Sequence, residues 1–157
     1  MKQDYSQAKT IEGVKLTPLK FHQSLDGEFA EVNRFEGVDM IQWNHSILRP
    51  QVIKAFHVHQ HQIDWWYSTD PLFVVLHDAR RNSPTEGLTQ RLCLNRALLE
   101  IPKNVWHGVL NPNYRDAART AAARRATAAR GPAAAATRRC TSARWTSGCR
   151  PSFPSAR

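Results

Sequence analysis

A chain of 157 residues has room for one domain with a single hydrophobic core. Its formal net charge of +9 would ordinarily suggest a nucleic acid or an anionic surface as partner, but the excess is not spread along the chain. Residues 1–114 carry twelve Lys and Arg against twelve Asp and Glu, whereas residues 115–157 carry ten Arg against Asp116 alone, so the basic balance describes one biased segment and implies no nucleic-acid partner. No apolar run of about 18 residues spans a bilayer and Met1-Lys2-Gln3-Asp4 lacks an apolar signal region, so the expectation is a cytoplasmic protein with no membrane partner. Cys93, Cys140 and Cys149 have no metal-ligand spacing, and no disulfide framework is expected.

In chain order, residues 14–21 read as a strand, Leu25-Asp26-Gly27-Glu28 as a turn, and residues 29–35 as a return strand completing a hairpin. Residues 40–46 and 50–59 are further strands, the latter opening on Pro50, where a missing N–H is tolerable. Residues 62–68 form the next, with Trp65, Trp66 and Tyr67. Leu72-Phe73-Val74-Val75-Leu76 is an uninterrupted apolar run, too short for a helix and rich in strand formers, and should be the most deeply buried strand. After the polar loop Arg80 to Gly87, residues 88–95, 96–101 and 105–110 complete the set. Short strands at close spacing without helical periodicity indicate an all-β sandwich or barrel.

At Arg115 the composition changes abruptly. Fourteen of the last 43 residues are Ala and ten are Arg, and no apolar stripe exists for a helix to bury. The reading is a domain over residues 1–114 and a low-complexity basic tail over 115–157, disordered or poorly packed. Loss of all Lys and nearly all acids at one point is also what GC-rich DNA translated in a shifted frame would give; an ordinary low-complexity extension is the alternative. If neither other frame of the gene encodes further apolar strands, the frame-shift idea fails.

The chemistry concentrates in Lys54-Ala55-Phe56-His57-Val58-His59-Gln60-His61-Gln62-Ile63-Asp64. In an extended strand His57, His59 and His61 share one face. The spacing His57-x-His59-x4-Asp64, then Pro102-x4-His107-x3-Asn111, resembles the two motifs of the cupin superfamily, small β-barrels in which histidines and a carboxylate bind a divalent metal. Neutral imidazoles with one carboxylate suit Fe, Mn, Ni or Zn. Asp64 stands where that superfamily usually has Glu, and Asn104 where it has Gly.

A second resemblance covers more of the chain. Asp26-Gly27-Glu28-Phe29-Ala30-Glu31-Val32, Asn44-His45-Ser46, Lys54-Ala55-Phe56-His57, Asp78-Ala79-Arg80-Arg81-Asn82-Ser83-Pro84-Thr85-Glu86-Gly87 and Ile101-Pro102-Lys103-Asn104-Val105-Trp106-His107-Gly108 occur in the order found in dTDP-4-dehydrorhamnose 3,5-epimerases. This RmlC-like resemblance spans roughly residues 14–110 and none of the tail. It implies a metal-free cupin-type barrel, incomplete at its C-terminus, that forms a homodimer and epimerises a nucleotide-linked 4-keto-6-deoxy sugar in dTDP-rhamnose and cell-surface polysaccharide biosynthesis.

Such an isomerase needs a base beside the ketone, a cation or donor for the enolate, and an acid on the opposite face. By resemblance His57 is the base, and Lys54, His45, Arg80 and His107 contact substrate. Strict alternation would put Lys54 and His57 on opposite faces, so a shared pocket requires a bulge or a second subunit. The family's enolate-stabilising Lys aligns with Ile63 or Asp64, and its acid Tyr and base-orienting Asp fall in the tail, which contains no Tyr after Tyr114. The alternatives are a sugar-nucleotide binder without turnover and a cupin holding one divalent metal on His57, His59, Asp64 and His107. Trp65, Trp66 and Tyr67 are expected in the core before a ligand pocket, and whatever Asp64 faces should separate the two chemistries.

Overall fold

The computed structural model of the chain describes residues 9–34 and 42–125. These residues contain eleven strands and no helix, so the all-β expectation is borne out. One sheet has the strand order β1 (Lys15–Pro18), β9 (Ala97–Ile101), β6 (Gln62–Ser68), β11 (Ala117–Arg125), β4 (Gln42–Leu48). The facing sheet has the order β5 (Ile53–His57), β10 (Val105–Leu110), β7 (Leu72–Asp78), β8 (Thr89–Leu94), and β2 (His22–Ser24) with β3 (Gly27–Phe29) forms a separate hairpin. All pairings are antiparallel.

Alternation along the strands places Leu48, Trp66, Leu99, Ile101 and Ala117 of the first sheet against Leu72, Val74, Leu76, Leu94, Val105 and Val109 of the second. Ile11 and Val14 close one side of this core. The apolar run 72–76 is not buried throughout: Leu72, Val74 and Leu76 are sealed, while Phe73 is 51% exposed on the outer face. A strand at one face of a sandwich has only one side to bury.

The N-terminal pairing differs from expectation. Lys15–Pro18 pairs with β9 instead of turning directly into a hairpin, and the hairpin is the shorter unit His22–Phe29. Gly27, with φ of 141°, opens its return strand in a conformation that L side chains rarely adopt. Arg96 anchors the unit, donating from Nη1 and Nη2 to the Glu28 carboxylate at 2.9 and 2.8 Å while its guanidinium lies 3.5 Å over the Phe21 ring.

The boundary at residue 114 is corrected by β11. Ala and Arg favour helix in isolation, yet Ala117–Arg125 fills the space between β4 and β6 and satisfies both strand edges. Its small residues suit their neighbours, since Ala121 lies opposite Trp66 and Ala122 opposite Trp65. The expectations for residues 126–157, including Cys140 and Cys149, lie outside the described residues. Cys93 is free and exposed. No helix among the described residues is long and apolar enough to cross a membrane.

Candidate active site

The site begins with a register shift. His57 pairs with His107, but Val109 pairs with Lys54, so two residues of β5, Ala55 and Phe56, oppose the single Gly108. This is a β-bulge, and the extra residue returns Lys54 to the face of the sheet that carries His57. Gly108 makes it possible: a Cβ there would lie 2.6 Å from Ala55 Cβ and 3.2 Å from Ala55 Cα. The bulge that a shared Lys54 and His57 face requires is therefore built by the His107-Gly108 pair.

Beyond His57 the strand ends, so His59 and His61 do not keep its parity. The chain turns through Val58–His61, held by the Asn104 N–H donating to His59 O at 2.8 Å. His59 folds back toward β6 while His61 stays exposed at the cleft mouth. Equivalence of the three histidines is thus corrected.

His57, His59, Asp64, Trp66 and Arg119 line an inner cavity of about 250 Å³ together with Gln42, Asn44, Gln62, Ala121 and Ala123. It adjoins an outer cleft of about 470 Å³, the two sharing Gln42, His59, Gln62 and Ala123. The His57 ring meets the His107 ring edge-on at 4.4 Å between centroids, and Trp66 meets His107 at 5.1 Å. His107 is 1% exposed.

Asp64 faces the histidines. Its Oδ2 lies 3.3 Å from His59 Nε2 and 3.6 Å from His107 Nε2, and Oδ1 accepts from Gln62 Nε2 at 2.8 Å. The Val105 carbonyl can only accept, so the 3.0 Å contact fixes the proton of His107 on Nδ1 and leaves Nε2 as a bare acceptor without a hydrogen-bond partner. A lone pair thus confronts the carboxylate. Burial pushes the Asp64 carboxyl up, opposed by His59, Gln62, His57 and Arg119, and a proton on Asp64 or a cation between the groups would remove the repulsion. Burial holds His107 down at about 4 and also lowers His57, with His59 and Arg119 adding to the effect on His57 and Asp64 opposing it.

Arg119 escaped the sequence reading because it sits in the Ala/Arg segment. Its guanidinium carbon lies 3.9 Å over the Trp66 ring, and its buried Nε and Nη1 have no hydrogen-bond partner among the described residues. The available signal was the period-2 run of Arg119, Ala121 and Ala123, which together line the cavity.

Two expected substrate contacts lie elsewhere. His45 falls between Gln42 and Asn44, which line the cavity, and Ser46; its parity is that of Trp43, so it is exposed on the outer face opposite Thr120. Arg80 does not line the histidine cavity. It is clamped to the fully buried Asp78, with Nε to Oδ1 at 2.8 Å and Nη2 to Oδ2 at 2.8 Å, and reaches Glu12 O at 2.9 Å. Ser83 Oγ and Thr85 Oγ1 donate to the same carboxylate at 2.7 and 2.6 Å, so the Asp-x-Arg-x-x-Ser-Pro-Thr motif folds its own loop. Lys54 is exposed at the edge strand. Trp66 faces the cavity and Trp65 and Tyr67 a small outer cleft with Trp43.

Titratable side chains converging in the mouth of a two-sheet β-barrel mark the fold as cupin-type. No protein-family model matches the chain. It is 41% identical over 107 residues to the spore coat polysaccharide biosynthesis protein SpsL of Bacillus subtilis (strain 168), covering 62% of this chain and 70% of that protein. Similar solved structures are a dTDP sugar isomerase from Desulfovibrio desulfuricans G20 (24% identity, TM-score 0.68, 73% of this chain and 78% of that one) and the dTDP-4-dehydrorhamnose 3,5-epimerase from Sulfolobus tokodaii (25%, 0.62, 71% and 70%). A third is dTDP-6-deoxy-D-glucose-3,5-epimerase from Legionella pneumophila Philadelphia 1 in complex with dTDP-4-keto-L-rhamnose (21%, 0.67, 74% and 69%). The chain belongs to the family of SpsL, and its fold is that of the RmlC-like 3,5-epimerases.

Proposed function

We infer that the protein is a nucleotide-sugar isomerase that removes a proton from carbon next to the 4-keto group of a dTDP-linked 4-keto-6-deoxy sugar. The observation that carries this reading is the bulge opposite Gly108, which returns Lys54 to the sheet face of His57, and His57 lines the inner cavity. His57 is the base: its lowered pKa keeps the imidazole neutral and able to accept a proton at physiological pH. Lys54, exposed on edge strand β5, supplies charge for the diphosphate. His107, shielded from water, orients the His57 ring through its edge-on contact. His45 and Arg80 have no part in this assignment.

The same reading makes the protein a cytoplasmic homodimer. In support, Ile53, Leu110 and Phe73 form one cross-strand row on the outer face of the second sheet, with Ile53 and Phe73 66% and 51% exposed.

Solvent deuterium should enter a dTDP-4-keto-6-deoxy sugar incubated with the enzyme in D2O, and His57→Ala should abolish it. Exchange that survives His57→Ala would overturn the assignment of the base.

One observation favours a second reading. The ligand atoms of His57, His59 and His107 lie within 4.8 Å of one another, and the bare Nε2 of His107 points at Asp64. Three imidazoles and a carboxylate fit Zn, Fe, Mn or Ni, which when bound would polarise a carbonyl or activate water. His59 discriminates, because the metal set needs it and the isomerase does not. Near-stoichiometric metal in protein purified without an affinity tag, lost on His59→Ala, would establish this reading.

A further inference from the structure

Resting on the isomerase reading, the geometry points to Arg119 as the catalytic residue that binds the developing enolate oxygen. Proton removal next to a ketone transfers negative charge to the carbonyl oxygen, and the barrier depends on a preorganised positive donor there. Neither Ile63 nor Asp64, at the positions where a lysine was expected, can supply one. Among the described residues lining the inner cavity, Arg119 is the only permanently charged cation.

Three features suit it to the task. Its guanidinium carbon lies 3.9 Å over the centre of the Trp66 ring, a contact that removes much of the rotamer freedom that an arginine would otherwise lose on binding. Its buried Nε and Nη1 have no acceptor among the described residues, so a ligand oxygen entering in the guanidinium plane would satisfy donors that are costly to leave unpaired. It also shares the cavity with His57. Burial lowers the Arg119 pKa and Asp64 opposes this, but a guanidinium starts so high that it stays charged.

In the first half-reaction the C–H bond beside the ketone breaks and its proton passes to the neutral His57 imidazole. The electron pair becomes a C=C bond while the carbonyl π pair moves onto oxygen, giving an enolate held by the Arg119 N–H groups. When the carbonyl re-forms, the carbon takes a proton from solvent on the opposite face, and His57 releases its own proton to solvent. Arg119 itself gains and loses nothing.

The test compares wild type, R119Q, R119K and His57→Ala for deuterium incorporation into a dTDP-4-keto-6-deoxy sugar, with dTDP affinity measured by calorimetry. The expected result is a fall in kcat of about 10²–10³-fold for R119Q, with KM and dTDP affinity within about threefold, because the lost contact is made in the transition state. An R119Q enzyme exchanging within about threefold of wild type, beside an inactive His57→Ala, would remove Arg119 from the mechanism and leave the isomerase reading standing. Absence of exchange in the wild type would remove both. If R119Q loses dTDP binding, R119K decides: retained charge should keep at least about a tenth of the rate, and a folded R119K below about a hundredth overturns the assignment.

Discussion

Replacing Gly108 by Ala puts the geometry of the site to a direct test. The added Cβ would stand 2.6 Å from Ala55 Cβ, 3.2 Å from Ala55 Cα and 3.3 Å from Phe56 Cδ1. Carbon atoms rest at about 3.5–4.0 Å, so the closest approach is short by roughly an ångström. Neither Ala55 atom is the end of a flexible side chain, and relief requires β5 to move away from β10. Because β5 pairs only with β10 among the described residues, it can retreat without unfolding the core. The cost should fall in the range of about 1–3 kcal/mol for overpacking, or a Tm lower by about 4–12 °C. The larger effect should be on exchange activity, since the retreat breaks the register that sets Lys54 and His57 on one face. Thermal denaturation, with amide hydrogen exchange at Ile53–His57, reads both parts. Ala55→Gly in the same chain deletes the worst contact and should restore more than half of the lost stability and much of the activity. A Gly108→Ala protein with unchanged Tm, amide protection and activity would refute the reasoning.

Asp78→Asn removes the charge that Arg80, Ser83 and Thr85 converge on and should cost about 3–5 kcal/mol, read as a lower urea midpoint. Arg80 and the two hydroxyls hold the Asp78 carboxyl well below the usual range, so the unfolded chain takes up this proton first as acid is added. Stability from Asp78 should be complete above about pH 4 and drain away below it, and Asp78→Asn should lack that part of the acid slope; identical slopes would contradict the assignment. The acid limb of the exchange rate should lie below pH 6.5, because burial, His59 and Arg119 favour neutral His57, and it should move upward in R119Q as one repelling charge is lost. A limb at or above pH 6.5 in the wild type would count against His57 as the base. Asn111→Ala strips a donor shared among the carbonyls of Leu48, Arg49 and Arg115 and should lower stability by about 1–3 kcal/mol in chemical denaturation without changing the pH profile.

Strand type and the main site segments were legible because both depend on local pattern. The β6 and β10 boundaries coincide with the expected strands 62–68 and 105–110, short runs rich in aromatic and aliphatic strand formers. His57 could be named from its motif, and the need for a bulge follows from the odd offset of three positions from Lys54 to His57. The alternation rule misled at His59, because the ladder stops at His57 and a turn reorients the residues beyond it. Alternation along β4 also carries the outward parity of His45, which motif order alone does not contain.

The amino-acid sequence alone determined the all-β class and the likeness to the 3,5-epimerase fold, properties written in side-chain periodicity and in motif order. The tertiary structure decided the rest. Ala117–Arg125 becomes a strand because two unsatisfied edges accept its backbone, a gain that no local propensity contains. Arg119 reaches the histidines only because that strand lies beside β6, and Asp64 turns toward His59 and His107 where the linear spacing allowed either chemistry. Hydrogen-bond ladders between distant segments fix these positions, and a one-dimensional pattern carries periodicity but not partner.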